Sequence, residues 1–163
     1  MPVDILYRCA YRVGHPLARQ WWRLRRPRGR GVAVAVWWQG RLLAVRPSYR
    51  RGYDLPGGGV EPGETAVEAA VRELAEELAV AVPPGELEER ARLDFVLDHR
   101  RIDETLFAWH PVRPPDPRVD RREIVWAGFM APAALAGARL TPSLRHALAL
   151  PYPQPPSPAG PRR

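Results

Sequence analysis

Not one lysine or asparagine occurs in this chain, and all 25 of its basic residues are arginine. So skewed a composition fits a GC-rich coding sequence better than selection for a ligand, and arginine counts alone therefore carry little functional weight. Cysteine occurs once, at Cys9, which excludes an internal disulfide. No histidine is arranged around it to make a nucleophile, and its expected role is a small apolar group. The four histidines, His15, His99, His110 and His146, show no zinc spacing with Cys9 or with one another. No apolar run approaches the roughly 20 residues of a membrane span, and no signal-peptide core is present. The expectation is a soluble, cytoplasmic protein, with peripheral attachment to a membrane as the alternative.

The 163 residues suit one domain with a core of its own. The formal charge of +7 is unevenly spread, because residues 1–30 hold eight arginines against Asp4 and the rest of the chain is close to neutral. A near-neutral body is not a general polyanion binder, and no specific nucleic-acid partner is expected. Residues 3–26 read as an amphipathic helix with a break at Gly14 and Pro16. Leu6, Cys9, Val13, Leu17, Trp21 and Leu24 share one arc, and Arg8, Arg12, Arg19, Arg23 and Arg26 another. Such a helix suits an anionic membrane surface, and equally its own domain or a second copy of it.

Gly31–Trp38 and Arg41–Arg46 read as a hairpin across Gln39-Gly40. Later strands are expected at about 91–98, 104–112 and 123–130, with a proline-rich loop over 113–122 between the last two. A short helix near 133–136 precedes one that Thr141 caps and Pro142 opens, running to about Leu150. The chain thus divides into a basic extension (1–30), a folded domain (31–150) and a proline-rich tail (151–163) expected to be disordered.

Residues 57–80 carry the chemistry. Gly57, Gly58 and Gly59 permit backbone conformations closed to other residues and let a ligand come close, and Gly63 adds a further bend. Thr65 with Glu68 three residues on is a capping box, and a helix follows. Val67, Val71, Leu74 and Leu78 form its apolar stripe. Glu73, Glu76 and Glu77, at i, i+3 and i+4, share a separate face about 100° wide. Crowding like charges in this way costs a few tenths of a kcal/mol per pair in an isolated helix. A hard divalent cation such as Mg2+, shared with substrate phosphates, would compensate; the plain alternative is a solvated acidic face.

In order, the segment is Gly58, five residues, Glu64, seven residues, Arg72-Glu73-Leu74, one residue, Glu76-Glu77, one residue, Ala79-Val80. This resembles the Nudix box of the Nudix hydrolases and departs from it only at Ala79, where the family has glycine. The resemblance covers about residues 31–150. It implies an α+β fold, the Nudix-type α/β/α sandwich on a mixed sheet, to which the N-terminal helix is an addition. It also implies cleavage of a pyrophosphate bond in a nucleoside di- or triphosphate derivative, with Mg2+ or Mn2+ as cofactor. Carried over by position, Glu73 and Glu77 would be the principal metal ligands, Glu76 a further ligand or the acceptor of the water's proton, and the Gly57 carbonyl would complete the set. Arg72 would orient the acids, and Glu64 and Gly58 would support the turn. The additional acid that the family often recruits would be Glu123, preferred over Glu104. Arg100 and Arg101 are at hand to satisfy Glu104, and for either acid taken alone the plain reading is an exposed structural role.

Arg46, Tyr49, Arg50 and Arg51 lie just upstream of the turn and suit substrate phosphates or a base, or else a solvated loop. A nucleoside triphosphate is favoured over a nucleotide sugar, because the chain shows no added substrate domain. Two other readings stand beside the hydrolase: a nucleotide-binding module that kept the fold and lost turnover, and a membrane-surface adaptor working through residues 1–30.

Overall fold

In the strand Arg28–Trp38 (β1) the run Val32-Ala33-Val34-Ala35-Val36 alternates large and small side chains, and all five are buried. Successive residues of a strand face opposite sides, so this run puts valines on one face of a sheet and alanines on the other, and both faces must be covered. In the computed structural model, which describes residues 28–119 and 121–151, they are. Val32, Val34 and Val36 pack with Leu43, Val45 and Phe107 beneath the helix Ala66–Leu78 (α1), through Ala70, Leu74 and Leu78. Ala33, Ala35 and Trp37 pack on the opposite face with Leu42, Leu55 and Leu106. That face is covered by the short helix Pro132–Leu135 (α2), through Leu135, and by Pro142–Ala149 (α3), through Leu144 and Ala147.

The remaining strands are Arg41–Pro47 (β2), Gly57–Gly59 (β3), Glu88–Leu97 (β4), Arg100–Trp109 (β5) and Ile124–Met130 (β6). The sheet order is β4-β5-β1-β2-β6, with β3 on β1. The β1–β5 pair is parallel, and the β1–β2, β1–β3, β2–β6 and β4–β5 pairs are antiparallel. This is the expected α/β/α sandwich on a mixed sheet. The proposed helix at 3–26, Cys9 and the proline-rich tail beyond Pro151 lie outside the described residues. Among the described residues no helix is long and apolar enough to cross a membrane.

Several boundaries differ from expectation, among them the start of β4 at Glu88 rather than about 91 and the end of β5 at Trp109 rather than about 112. β1 begins at Arg28 rather than Gly31, because Arg28, Gly29 and Arg30 pair with Arg101, Ile102 and Asp103 of β5. Arg100 and Arg101 are strand residues, and the turn before them is made by Asp98 and His99 in left-handed conformation, φ 49° and 68°. The glycine turn is in part a strand, with Gly57, Gly58 and Gly59 opposite Ala33, Val32 and Gly31.

β1 and β2 register against each other only at Trp37–Leu42 and Trp38–Arg41, and then part. The segment from Asp54 to Gly59 enters the gap. The Val34 N–H donates to the Pro56 carbonyl (2.9 Å), while Val45 and Asp54 exchange backbone bonds of 2.9 and 3.0 Å. This wedge carries the glycines to the front of α1.

At the start of α1 the capping box is complete: Thr65 Oγ1 accepts from the Glu68 N–H, and a Glu68 oxygen accepts from the Thr65 N–H. At its end Ala79 takes the left-handed conformation, φ 54° and ψ 33°, with its N–H donated to the Ala75 carbonyl at 3.0 Å. The exit thus has the shape glycine prefers and is made by alanine at a cost of about 1 kcal/mol. Ala79→Gly should raise stability by about that amount, seen as a melting-temperature gain of about 3–5 °C, with turnover unchanged.

Candidate active site

Arg72 is the hub of the acidic face. Its Nε donates to Glu64 Oε1 (2.9 Å), and its two terminal nitrogens donate to Glu73 Oε1 (2.9 Å), Glu76 Oε2 (3.2 Å), Glu64 Oε2 (3.1 Å) and the Gly59 carbonyl (2.8 Å). One planar guanidinium thereby ties the helix to both the glycine segment and the loop before the cap. Glu64 pulls Arg72 further toward its protonated form, and Glu73 adds to the effect against the opposing effect of burial. In return, the Arg72 hydrogen bond and the Glu61 N–H lower the pKa of Glu64. Arg72 and Glu64 therefore connect α1 to the turn.

The other acids differ in their surroundings. Glu77 is buried, with 6% of its surface exposed, and its Oε2 accepts from the Gly57 N–H at 3.1 Å. Glu73 is drawn up in pKa by burial, and the nearby charges of Glu123 and Glu76 add to this while Arg72 opposes it. Glu76 keeps 62% of its side chain exposed. The glycines fit around them. A side chain at Gly57, φ 149°, would run into the Val32 carbonyl, and one at Gly58 would overlap the Glu73 carboxylate.

In front of this face lies a cleft of about 300 Å³, at the small end of the usual ligand-site range of roughly 300–1,000 Å³. Gly57, Gly58 and Glu77 line it, together with Glu123 and Glu104. Of the proposed substrate residues, Tyr49 and Arg50 also line it, whereas Arg46 and Arg51 do not. Arg50 stacks over the Tyr49 ring, 5.6 Å to its centroid, and pairs with Asp54. Asp54 in turn accepts from Thr141 Oγ1 at 2.6 Å.

The expectation for Glu104 is corrected as far as Arg101 is concerned. It faces the cleft and accepts a hydrogen bond from the buried Ser143 hydroxyl, while Arg101 pairs with Asp94 at 2.7 Å. The reason is strand alternation: Arg101 and Asp103 fall opposite Val96 and Asp94 on β4, and Glu104 takes the other face. In the sequence Glu104 is the alternative to Glu123, whereas Asp54, Thr141 and Ser143 join the site region without any local pattern that reveals them. Thr141 reads only as a cap, and none of the three belongs to a spaced motif.

The acids of the cleft wall and of the helix face behind it, Glu77, Glu104 and Glu123 with Glu73 and Glu76, offer oxygen ligands. Among the described residues no three His, Cys, Asp or Glu side chains form a ready metal cage, and Arg72 and the Gly57 amide hold the carboxylates instead. The donor chemistry nonetheless fits a hard divalent cation, because Glu73 is half-buried among other negative charges that a cation would offset.

The comparisons with known proteins agree with this geometry. The chain is similar to the MutT Nudix hydrolase of Burkholderia pseudomallei, with 23% identity and a TM-score of 0.67 over 75% of this chain and 96% of that one. It is similar to the MutT protein of Methanosarcina mazei Go1, with 23% identity and a TM-score of 0.64 over 76% and 92%. The dihydroneopterin triphosphate pyrophosphohydrolase of E. coli gives 23% identity and 0.62 over 73% and 91%. Among curated proteins none matches the sequence. The sequence model of the NUDIX domain matches residues 27–150, the span from the first described strand to the end of α3. With the box on α1, the glycine segment docked against it and this match over most of its length, the chain belongs to the Nudix hydrolase family.

Proposed function

We propose that the protein hydrolyses a pyrophosphate bond in a nucleoside di- or triphosphate derivative, with Mg2+ or Mn2+ as cofactor, within the folded domain that begins with β1 and ends with α3. The observation that carries this is the Arg72 hub, which gathers Glu64, Glu73 and Glu76 behind the Gly57–Glu77 contact; of these residues Gly57 and Glu77 line the cleft itself. Glu73, Glu77 and the Gly57 carbonyl are the groups that would hold the cation. When bound, it neutralises charge developing on the phosphoryl oxygens and lowers the pKa of a water. Arg72 keeps the acids oriented. Glu76, the most exposed of the three, takes the proton of the attacking water. The water oxygen bonds to phosphorus, the bridging P–O bond breaks, and the leaving phosphate oxygen keeps the electron pair. Tyr49 and Arg50, on the cleft wall, suit the nucleotide.

The test is release of phosphate-containing product across a panel of nucleoside triphosphates, nucleotide sugars and dinucleoside polyphosphates, with Mg2+ and with EDTA. Turnover that needs the metal supports the proposal. A folded protein that binds nucleotides and turns none over would instead be a binding module.

Glu123 and Glu104 have separate roles in this scheme. The charge of Glu123 is felt at Glu73, which favours Glu123 as the added acid. Glu123→Gln should lower kcat about a hundredfold, the scale of losing a metal or base contact. Glu104 is drawn up in pKa by burial, and the Ser143 hydroxyl and the Arg50 charge offset this only in part. The folded protein therefore holds this proton more tightly than the unfolded chain does. The stability that results is present below the ordinary value of 4.5 and is lost as pH rises through the raised one. Glu104→Gln keeps an acceptor for Ser143 and cannot ionise. In EDTA it should melt with the wild type near pH 4.5 and above it at pH 8. A hundredfold kcat loss from Glu104→Gln alone would reverse the assignment.

A further inference from the structure

Beside the cleft lies a second and larger concavity, about 950 Å³, into which the cleft opens: Pro47, Tyr49, Arg50, Leu97 and Asp98 line both. Five arginines line this basin, Arg46, Arg50, Arg51, Arg139 and Arg145, against one acid, Asp98. So strong a local imbalance is notable in a domain whose basic and acidic residues nearly cancel as a whole.

The basin is assembled by tertiary structure. The Tyr53 N–H donates to the Arg139 carbonyl (2.8 Å), and the Thr141 N–H donates to the Tyr53 carbonyl (3.2 Å), so two distant segments run side by side. Gly52, at φ 109°, permits the approach, since a side chain there would meet the Arg139 backbone. The Arg145 guanidinium donates to the Leu140 carbonyl at 3.2 Å, which holds it over the same wall. In that wall the buried Ser48 hydroxyl has no hydrogen-bond partner among the described residues. Several guanidinium groups around one concavity match phosphate oxygens, which accept several charge-assisted hydrogen bonds at once.

We propose that this basin binds phosphates of the substrate beyond the bond that is cleaved, so that the enzyme prefers a nucleoside polyphosphate to a nucleotide ending in a neutral sugar. The inference rests on reading the adjoining cleft as the hydrolytic site. Arg139 and Arg145 are its distinctive members, and both side chains are exposed, so their replacement should not disturb the core.

The experiment compares the wild type with the Arg139→Gln/Arg145→Gln double variant on a nucleoside triphosphate and a nucleotide sugar, with melting temperatures checked to match. The expected result is a tenfold or greater rise in KM for the triphosphate at little-changed kcat, and an equal fall in the kcat/KM ratio of triphosphate to sugar. Arg139→Lys/Arg145→Lys should recover part of the loss. Inorganic tripolyphosphate should inhibit the wild type competitively. Equal losses on both substrates, no loss on either, or non-competitive inhibition that marks a site for free polyphosphate would each overturn the proposal. Calorimetry with tripolyphosphate separates this from the hydrolase reading. Binding at least tenfold weaker in the double variant supports the basin even in a protein without turnover, and equal binding overturns it even in an active one.

Discussion

Glu77→Gln should leave the protein folded and lower Mg2+-dependent turnover by on the order of a thousandfold or more. Glu77 is the buried acid of the cluster, and its carboxylate meets both the Gly57 amide and the cleft. Glutamine has the same length and can present its amide oxygen to the Gly57 N–H, so the turn keeps its anchor. What it removes is the charge, which is what a cation would require. The measurement is kcat at saturating Mg2+, with a melting curve to confirm the fold. Wild-type turnover by a folded Glu77→Gln protein would remove the proposed role of this face.

Gly58→Ala and Gly57→Ala, one residue apart, should fail in different ways. At Gly58 the added methyl meets the end of the flexible Glu73 side chain, which can swing aside. The fold should survive while Glu73 is displaced, and a misplacement of about 1 Å can cost on the order of a hundredfold in rate. At Gly57 the methyl meets the Val32 backbone at a positive φ, and neither can yield cheaply. Gly57→Ala should therefore lower stability by several kcal/mol. Activity and melting temperature measured on both variants check the contrast, and a stable, fully active Gly58→Ala would refute the placement of Glu73.

These effects centre on residues whose grouping was readable in the sequence, and the reason is that it is local. The Thr65–Glu68 box and the spacing of Glu73, Glu76 and Glu77 lie within a few helical turns, where 3.6-residue geometry decides who meets whom, whereas the Arg72–Glu64 link is implied only by the family resemblance. The valine and alanine alternation of β1 likewise announces a strand covered on both sides. Legibility ends where contacts are distant. Thr141 reaches Asp54 across 87 positions and Ser143 reaches Glu104 across 39, and no spacing rule spans such gaps. Arg139 and Arg145 join the basin only because Tyr53 pairs beside Leu140. The same limit explains the strand starts at Arg28 and Arg100, where parallel pairing of Arg28 with Arg101 and antiparallel pairing of Arg100 with Leu97 recruit charged residues that show no apolar period.

The wedge between β1 and β2 has a further consequence, for the order of folding. Beyond the registered pairs at Trp37 and Trp38, continuing the hairpin would set Val36 against Leu43 and Val34 against Val45, all members of one core cluster, and Ala35 against Ala44, both of the other. The hairpin could zip to its base with every side chain on its proper face. Closing a local hairpin takes microseconds, well ahead of contacts that need a longer loop. A zipped hairpin would hold the backbone groups of Val34 and Val45 that now bind Pro56 and Asp54, and would shut the glycine segment out. The catalytic turn is thus an insert that must displace a self-sufficient rival. The clasp of Glu77 and Arg72 on Gly57 and Gly59, besides shaping the site, helps to decide that competition.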